Sequence, residues 1–470
     1  MTGGSVKASP NSVHRKLFEH EQLKLQTITK SQRDLIVSIL PVLQENRGLR
    51  LFFVYLARRS HALDSVDGGI IIPYRVLASF VEKDPDHCNT EQELLLPYIQ
   101  QVSRNLQYRD YWHQGQKCRM ITNSGISELV RKAFEENEGE KVYTYDMKPF
   151  NDRKLAEGSR RLRKTAKLFE WRYSRQAEIV SYLHSLPLKP FQETVELHID
   201  EAYKVAHTLP NSEKHVETLR KIENMPLPFY YPGKDPSTKT PRIFGTAMQY
   251  LSKDIRKVLC PGWIDLDLRN CQLAIVGGIF QIASVQEVMK SGKSIWPELL
   301  EYMECPDGKQ KQMKDYLKKG LYSMIFGMRK DNVENQIAEN FENVSLEKNK
   351  TFTDYHILRD VDEALKNARR MIKIDGGMES AFGDMEYRRG EDIDSFVACL
   401  VQTYELDIIG AIYDVAAKEK KSCNETFRIR LHQHDGLAIE DNYEEDVLER
   451  LDLLVMIKAL EHDIITGIEY

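Results

Sequence analysis

The sequence has little of what holds small extracellular domains together or binds zinc locally. Its 470 residues include only seven cysteines, an odd number, and they are scattered along the chain. Neither a Cys-x-x-Cys nor a His-Glu-x-x-His pattern occurs. These absences exclude a disulfide scaffold and zinc sites with those spacings. We expect reduced thiols, as in a cytoplasmic protein.

Long apolar runs and a large net charge are also missing. No apolar run predicts a membrane span and nothing at the N-terminus resembles a signal peptide, so we expect no membrane partner. The net charge is only −5, but residues 150–175 form a basic block with interleaved aromatic residues. Such a block suits contact with nucleic-acid phosphates, and it is equally typical of a solvated helix face. The length predicts about two to three domains.

An acidic strand is the first positive signal. Residues 263–268 alternate between an apolar side and a side that carries Asp265 and Asp267. This alternation predicts a β-strand, which leads directly into an apolar helix. A carboxylate at a strand end, followed by Arg269 and Asn270, is a poor core residue and a good metal ligand.

A stripe of two cations and two aromatic rings lies in residues 312–328. Lys314, Lys318, Tyr322 and Phe326 recur every four residues, which places them on one face of an α-helix. A nucleoside triphosphate along that face would meet ammonium groups at its phosphates and rings at its sugar and base. Taken alone, the spacing is also typical of a solvated edge beside a core seam.

Residues 427–440 predict a β-hairpin whose turn contains Asp435. The alternation breaks at His434-Asp435-Gly436 and then resumes. Asp-Gly is the commonest hairpin turn, so Asp435 also has an ordinary structural explanation. A zinc site formed by His432, His434 and Asp435 is another alternative. Strand geometry disfavours it, because His434 and Asp435 would point to opposite faces.

In this order, the strand, the helix and the hairpin resemble the polymerase core of family A DNA polymerases, the bacterial DNA polymerase I type. The family pattern D-x-S-Q-x-E-L-R puts its metal-binding carboxylate at Asp267 and its Leu at Leu273. The family V-H-D-E falls on residues 433–436 and gives a second carboxylate at Asp435. The family helix R-x3-K-x3-F/Y-x3-Y-G falls on Lys314, Lys318, Tyr322 and Phe326-Gly327.

Further segments resemble the family between and before these, so that the six cover about residues 240 to 445. The matching residues are Arg242 and Gln249 in the T-G-R-L and L-Q-N region, Glu379, Gly383 and Tyr387 in the E-T-x-x-G-R-R-x-Y segment, and Gln402 and Asp407 in the Q-G-T-A-A-D-I-I helix. The resemblance implies that Arg242, Gln249, Gln402 and His434 contact DNA.

Several positions depart from the family. Gln272 stands where the family carries the Glu that excludes a 2′-hydroxyl, so the choice between deoxy- and ribonucleotides is open. Phe326 lacks the hydroxyl of the usual Tyr, and Gly436 lacks the second acid of the hairpin. The other departures are Ala274 and Lys314 in place of Arg, and Asp384-Met385 in place of an Arg pair.

The resemblance implies an α+β right-hand polymerase fold, with an antiparallel palm sheet and helical fingers and thumb. We expect a mainly α-helical N-terminal domain in residues 1–150, the thumb in 151–240, and palm and fingers in 241–470, with fingers at about 285–375. Apolar patterns at residues 33–59, 70–81 and 93–106 predict the N-terminal helices. This domain would bind DNA or a replication accessory protein, or serve as a scaffold for the thumb.

The implied chemistry is nucleotidyl transfer with two Mg²⁺ ions, or Mn²⁺ in their place. Asp267, Asp435 and the carbonyl of Leu268 would hold them. Lys318 would stabilise or protonate the leaving pyrophosphate, and Lys314 would bind the γ-phosphate. The remaining nucleotide-binding residues would be Gln272, Tyr322 and Phe326.

Three functions follow as hypotheses. The first is a template-directed DNA polymerase of a bacterium, plasmid or phage, acting on a primer-template and dNTPs. No Asp-x-Glu pair precedes residue 230, so we expect no proofreading exonuclease. The second is a primase-like or RNA-synthesising polymerase of the same superfamily, which Gln272 and Phe326 leave open. The third is a non-catalytic nucleic-acid-binding protein, which would have lost Asp267 or Asp435; both are present.

Overall fold

The computed structural model describes residues 160–470 with short gaps and, before residue 160, only Asp34 and six strands. The gaps are residue 188 and residues 225–228, 234–238, 246, 434–435 and 442–445. The chain divides into two compact units. The first comprises Met1–Glu170, Pro187–Asp235 and Gly245–Pro261, and the second comprises Trp171–Leu186, Pro236–Phe244 and Gly262–Tyr470. The thumb, palm and fingers boundaries stay a prediction.

The described elements form a mixed helix-and-sheet protein. The strands are β1 Thr27–Ile28, β2 Ser65–Val66, β3 Gly69–Pro73, β4 Gln107–His113, β5 Gln116–Thr122, β6 Tyr143–Thr144, β7 Tyr230–Tyr231, β8 Phe244–Gly245, β9 Trp263–Leu268, β10 Gly377–Ser380, β11 Gly383–Glu386, β12 Phe427–His432, β13 Gly436–Asp441 and β14 Ile468–Glu469.

The α-helices are α1 Ser174–His184, α2 Lys189–Thr208, α3 Ser212–Asn224, α4 Lys253–Leu259, α5 Cys271–Ile279, α6 Ala283–Lys290, α7 Ile295–Tyr302, α8 Gln310–Ile325, α9 Lys330–Asn343, α10 His356–Asp375, α11 Ile393–Ser422 and α12 Val447–Leu460. Two 3₁₀ helices span Ala247–Tyr250 and Phe352–Asp354.

The described N-terminal strands form an antiparallel sheet of order β2-β3-β5-β4. The sequence predicted a helix over residues 70–81, and that prediction is wrong at Gly69–Pro73, which is strand β3. Three consecutive β-branched Ile residues favour a strand, and Pro73 is tolerated at its end. The helices predicted over residues 33–59 and 93–106 lie outside the described residues, except that Asp34 is helical.

Helices of the first unit pack around α2. This helix buries Val195, Ile199, Ala202 and Ala206, a spacing that forms one continuous face. It packs against α3 and α4. Helices α2, α3 and α4 therefore form a helical core in this unit.

The second unit is built on an antiparallel sheet of order β12-β13-β9-β14. The predicted strand 263–268 is confirmed as β9, and the predicted hairpin strands are confirmed as β12 and β13. Leu266 and Leu268 of β9 are buried, while Asp265 and Asp267 are partly exposed. The polar side of β9 is therefore the side available to a ligand.

Helix α11 is the longest core element of the second unit. Asp392 caps its N-terminus by accepting from the backbone N–H groups of Asp394 and Ser395. By length and composition α11 resembles a membrane span, although the sequence predicted none. In its most apolar window, however, 83% of the residues are buried inside the protein, as expected of a core helix.

Helix α8 confirms the helix predicted over residues 312–328. Met313, Leu317, Leu321 and Met324 form its buried face, which packs against α9 and α10. Lys314 and Lys318 are exposed on the other side. The helix ends before Phe326, and Gly327 turns the chain with a φ of +94°. The predicted stripe therefore continues along the helix only as far as Tyr322.

Candidate active site

Asp267 lies near the end of β9 between two neighbouring strands. On one side it is paired with Gly436 of β13, and on the other with Glu469 of β14. Directly opposed residues in an antiparallel sheet point to the same face. A Cβ atom added to Gly436 would clash with the Asp267 carboxylate and the Leu266 carbonyl. The β13 side of Asp267 is therefore closed to a side chain at position 436.

A cavity of about 340 Å³ opens beside Asp267. It brings together five of the residues singled out by sequence: Asp267, Leu268, Lys314, Lys318 and Tyr322. The other lining residues are Arg269, Asn270, Gly292, Lys293, Ser294, Trp296, Gln433 and Glu469. The strand and the helical stripe, which lie almost fifty residues apart in sequence, thus share one site.

Cations and one aromatic ring dominate the α8 side of the cavity. Lys318 Nζ lies 5.7 Å from the centroid of the Tyr322 ring, a distance at which the ring attracts the ammonium group. Within the part of the chain that the structure describes, neither Lys314 nor Lys318 forms an ion pair. Together with Arg269 and Lys293, they give the cavity an excess of positive charge that suits a phosphate-bearing ligand.

The oxygen atoms around Asp267 are of the type that Mg²⁺ prefers. The Asp267 and Glu469 carboxylates and the Leu268 main chain all belong to cavity-lining residues. Among the described residues, however, no group of three or more His, Cys, Asp or Glu side chains could hold a metal ion. Asp435 and His434, which the sequence assigned to metal and DNA, lie outside the described residues. The described donors therefore fit a hard cation but form an incomplete set.

Gln272 is buried on α5 and is not among the residues that line the cavity. Its Nε2 donates to Glu405 Oε2 of α11 at 2.6 Å, and its Oε1 is buried without a hydrogen-bond partner in the described part of the structure. Because Glu405 is itself buried, this contact supplies the carboxylate with a donor that it needs. Sequence reasoning missed Glu405, since nothing in the local pattern connects positions 272 and 405.

Phe326 is also not among the residues that line the cavity. It follows α8 as the C-cap residue, and its backbone N–H donates to Tyr322. The ring is partly exposed. Of the four members of the stripe, Lys314, Lys318 and Tyr322 line the cavity and Phe326 does not.

The predicted DNA-binding residues occupy both units. In the second unit, Thr240 Oγ1 donates to Gln402 Oε1 at 2.9 Å and accepts from the Arg242 backbone N–H at 3.2 Å. Gln249 belongs to the first unit, where its Oε1 accepts from the Gly245 backbone N–H. Arg242 and Gln402 are therefore brought together by Thr240, which sequence reasoning did not single out.

Asp407 is tied into the core of the second unit. Its Oδ2 lies 2.8 Å from His462 Nε2 and 2.9 Å from Lys458 Nζ. Burial acts to raise the pKa of this carboxyl, but the hydrogen bonds and charges of His462 and Lys458 outweigh burial and hold it below its ordinary value. Asp407 therefore has structural partners in α12 and in the turn that follows it.

The segment matched to the family at residues 379–387 forms the β10–β11 hairpin. Tyr404 Oη donates to the Glu379 carbonyl at 3.2 Å, and Tyr387 Oη donates to the Glu391 carbonyl at 2.9 Å. These bonds attach the hairpin to α11 and to the loop before it. The Ala381 backbone N–H also donates to Thr403 Oγ1 of the same helix at 3.3 Å.

Comparisons with known proteins give only distant structural resemblance. No protein-family profile matches the chain, and no curated protein matches it. Among solved structures, it is similar to the POL domain of Pol1 from M. smegmatis, in a complex with DNA primer-template and dNTP. The sequence identity is 12%, the match covers 73% of this chain and 74% of that chain, and the TM-score is 0.41.

Proposed function

We propose that this chain is a template-directed DNA polymerase that extends a primer 3′ end. The observation that supports the proposal is that Asp267, Lys314, Lys318 and Tyr322 line the same cavity. A strand-end carboxylate facing two lysines and an aromatic ring suits a nucleoside triphosphate held with a divalent cation. The right-hand arrangement of palm, fingers and thumb, and the absence of proofreading, are parts of the same proposal.

Each residue of the cavity has a role that follows from its charge. Lys314 and Lys318 bind the triphosphate as point charges, without the two-pronged grip of an arginine. Lys318, next to Tyr322, stabilises the charge that develops on the leaving pyrophosphate. Tyr322 packs against the sugar and base of the bound nucleotide.

Divalent cations complete the site. We propose that Asp267, the Leu268 carbonyl and Asp435, the sequence neighbour of Gly436, hold two Mg²⁺ or Mn²⁺ ions. When bound, such ions supply charge neutralisation for a displacement at phosphorus. The positive lining of the cavity holds the polyphosphate beside these ligands.

A primase-like or RNA-synthesising polymerase is the second candidate, and one contact favours it. Position 272 carries an amide in place of a carboxylate, and this amide donates to Glu405 and does not line the cavity, so it sets no negative charge against a ribose 2′-hydroxyl. The experiment that tests the first candidate also tests this one, because the sugar of the nucleotide is varied.

The experiment is primer extension on a defined template with Mg²⁺, comparing dNTPs with rNTPs. We expect extension with dNTPs by the wild-type protein and loss of at least about 10³-fold in Asp267→Asn, because a metal-binding carboxylate is removed. The matched control is Asp265→Asn, which changes an acid on the same strand that does not line the cavity.

Extension that survives in Asp267→Asn contradicts the assignment of the site. A preference for rNTPs favours the second candidate. Binding of primer-template without any extension indicates a non-catalytic nucleic-acid-binding protein.

A further inference from the structure

Asp267 has an acidic neighbour that the hairpin motif does not predict. The strand β14 places Glu469 directly opposite Asp267, and both residues line the same cavity. Their backbone partners one step along, Ile468 and Leu268, are both buried and face the core. The alternation of side chains therefore sends both carboxylates to the cavity face of the sheet.

The position of Glu469 is set by hydrogen bonds to the main chain of the two residues before it. The Arg269 backbone N–H donates to the Gly467 carbonyl at 2.8 Å, and Arg269 Nη2 donates to the Ile468 carbonyl at 3.0 Å. The Ile468 backbone N–H donates to Asp452 Oδ1 of α12 at 2.6 Å. Since these bonds involve the main chain of residues 467 and 468, they do not depend on the side chain at position 469.

The opposite flank of Asp267 cannot supply the same group. Gly436 is paired with Asp267 there, and a Cβ atom at that position would clash with the Asp267 carboxylate. An acid at position 436 would therefore require the sheet to move. The β14 flank holds an exposed glutamate, and in the described residues its carboxylate forms no ion pair.

Two carboxylates directly opposed across a sheet repel each other, and a divalent cation bound by both would offset that repulsion. The cavity also has four cationic side chains, Arg269, Lys293, Lys314 and Lys318, which point independently to an anionic ligand such as a polyphosphate. A divalent cation carried with a triphosphate would relieve the repulsion between Asp267 and Glu469. The triphosphate would contact the cationic side chains, and the cation bound to its phosphates would contact the two carboxylates.

We propose that Glu469 is an additional divalent-cation ligand of this site, supplied by β14 in place of a second acid in the β12–β13 hairpin. This inference rests on the proposed function. Glu469 binds the cation beside Asp267, and β14 is the strand that carries this ligand.

The test is Mn²⁺ binding by the protein without nucleotide, measured as the loss of the electron paramagnetic resonance signal of free Mn²⁺. We expect Glu469→Gln to weaken Mn²⁺ binding by about 10- to 100-fold, the loss typical when a residue supporting a metal site is removed. Glu469→Asp, which keeps the charge, should recover part of the affinity. The control Glu449→Gln changes an exposed glutamate on α12 outside the cavity and should bind Mn²⁺ as the wild type does.

A second readout is the Mg²⁺ concentration needed for half-maximal primer extension. Glu469→Gln should raise it by a similar factor and regain activity at high Mg²⁺, which a structural defect would not do. Wild-type Mn²⁺ affinity in Glu469→Gln, with weakened binding in Asp267→Asn, overturns the role of Glu469 alone. Wild-type affinity in both variants overturns the metal site of the proposed function as well.

Discussion

At the residue scale, Lys318 is the member of the helical stripe whose surroundings best suit phosphate chemistry. It is exposed, it lines the cavity, and its ammonium group lies near the Tyr322 ring. No carboxylate of the described residues neutralises it. Its charge is therefore available to a ligand, and the ring favours one position of the flexible side chain.

The contributions of the two stripe lysines can be measured separately. We expect Lys318→Ala to lower kcat, and Lys314→Ala to raise KM for the nucleotide. Each should reduce kcat/KM by about 10- to 100-fold, since a hydrogen bond to a charged group contributes about 1.5–3 kcal/mol. Steady-state extension kinetics provide the measurement.

The matched control for both lysine variants is Lys319→Ala. Lys319 is exposed on the same helix and lies 5.5 Å from the Tyr316 ring, but it does not line the cavity. Equal losses in all three variants would indicate a general effect of charge on nucleic-acid binding, and would contradict the specific roles.

Asp407 makes the stability of the second unit depend on pH. Its pKa is lowered from an ordinary 3.8, so the ionised form is favoured by folding. Its contribution is therefore complete above about pH 5, and is lost as the pH falls past 3.8 towards the lower pKa of the folded state. We expect Asp407→Asn to cost about 1–3 kcal/mol at pH 7 and less at pH 3.5.

Urea unfolding of Asp407→Asn at pH 7, 5 and 3.5 tests this expectation. Asp384→Asn, an exposed residue of β11, is the control and should change stability little at any of these pH values. A difference from wild type that stays constant with pH would show that the charge of Asp407 in its contacts with His462 and Lys458 does not stabilise the fold.

At the scale of elements, the end of α8 is held by residues from two other helices. Arg369 of α10 donates to the Ile325 carbonyl at 3.2 Å and to Asp394 Oδ1 at 2.6 Å. Asp394, in the first turn of α11, occupies the space that a side chain at Gly327 would need. This arrangement fixes where α8 stops, and so it positions the helix that carries Lys318 and Tyr322.

Gly327→Ala should destabilise the second unit through both backbone strain and this clash. The control Gly308→Ala has a similar φ of +83° with nothing within 4 Å of the added Cβ, so it measures strain alone. We expect about 1–2 kcal/mol for Gly308→Ala and at least about 1 kcal/mol more for Gly327→Ala. Equal losses of unfolding free energy in denaturant would contradict a role for Asp394.

At the scale of the whole molecule, the candidate site belongs to one compact unit. All residues that line the cavity lie in the second unit, which has its own sheet and buried helix α11. Units with separate cores often unfold in separate transitions, so a single unfolding free energy need not describe the chain. A ligand of the cavity should then stabilise only one of these transitions.

Calorimetry with Mg²⁺ and a dNTP tests this expectation. At a nucleotide concentration 100 times Kd, binding stabilises the folded form by about 2.7 kcal/mol, which should raise one Tm by about 5–10 °C and leave any other unchanged. Asp267→Asn should show no shift with Mg²⁺ and dNTP. A shift of equal size in Asp267→Asn would place nucleotide binding elsewhere.

The sequence by itself determined the elements whose signal is local. Strand β9, helix α8 and the strands β12 and β13 follow from side-chain periodicity over six to sixteen residues. The family resemblance also selected Asp267, Lys314, Lys318 and Tyr322, which the fold brings into one cavity. For the Ile-rich run at Gly69–Pro73 the sequence predicted a helix where the structure has a strand, because a short apolar run has no period that distinguishes the two.

Only the tertiary structure decided which side chains, distant from one another in sequence, line the site and which do not. Strand register sets Glu469 beside Asp267 and leaves no room beside Gly436, and helix packing gives Gln272 the partner Glu405. These contacts join residues more than 130 positions apart, so no local pattern records them. A shift of one residue in register would turn Glu469 to the other face of the sheet, and that is why pairing, not composition, determines the site.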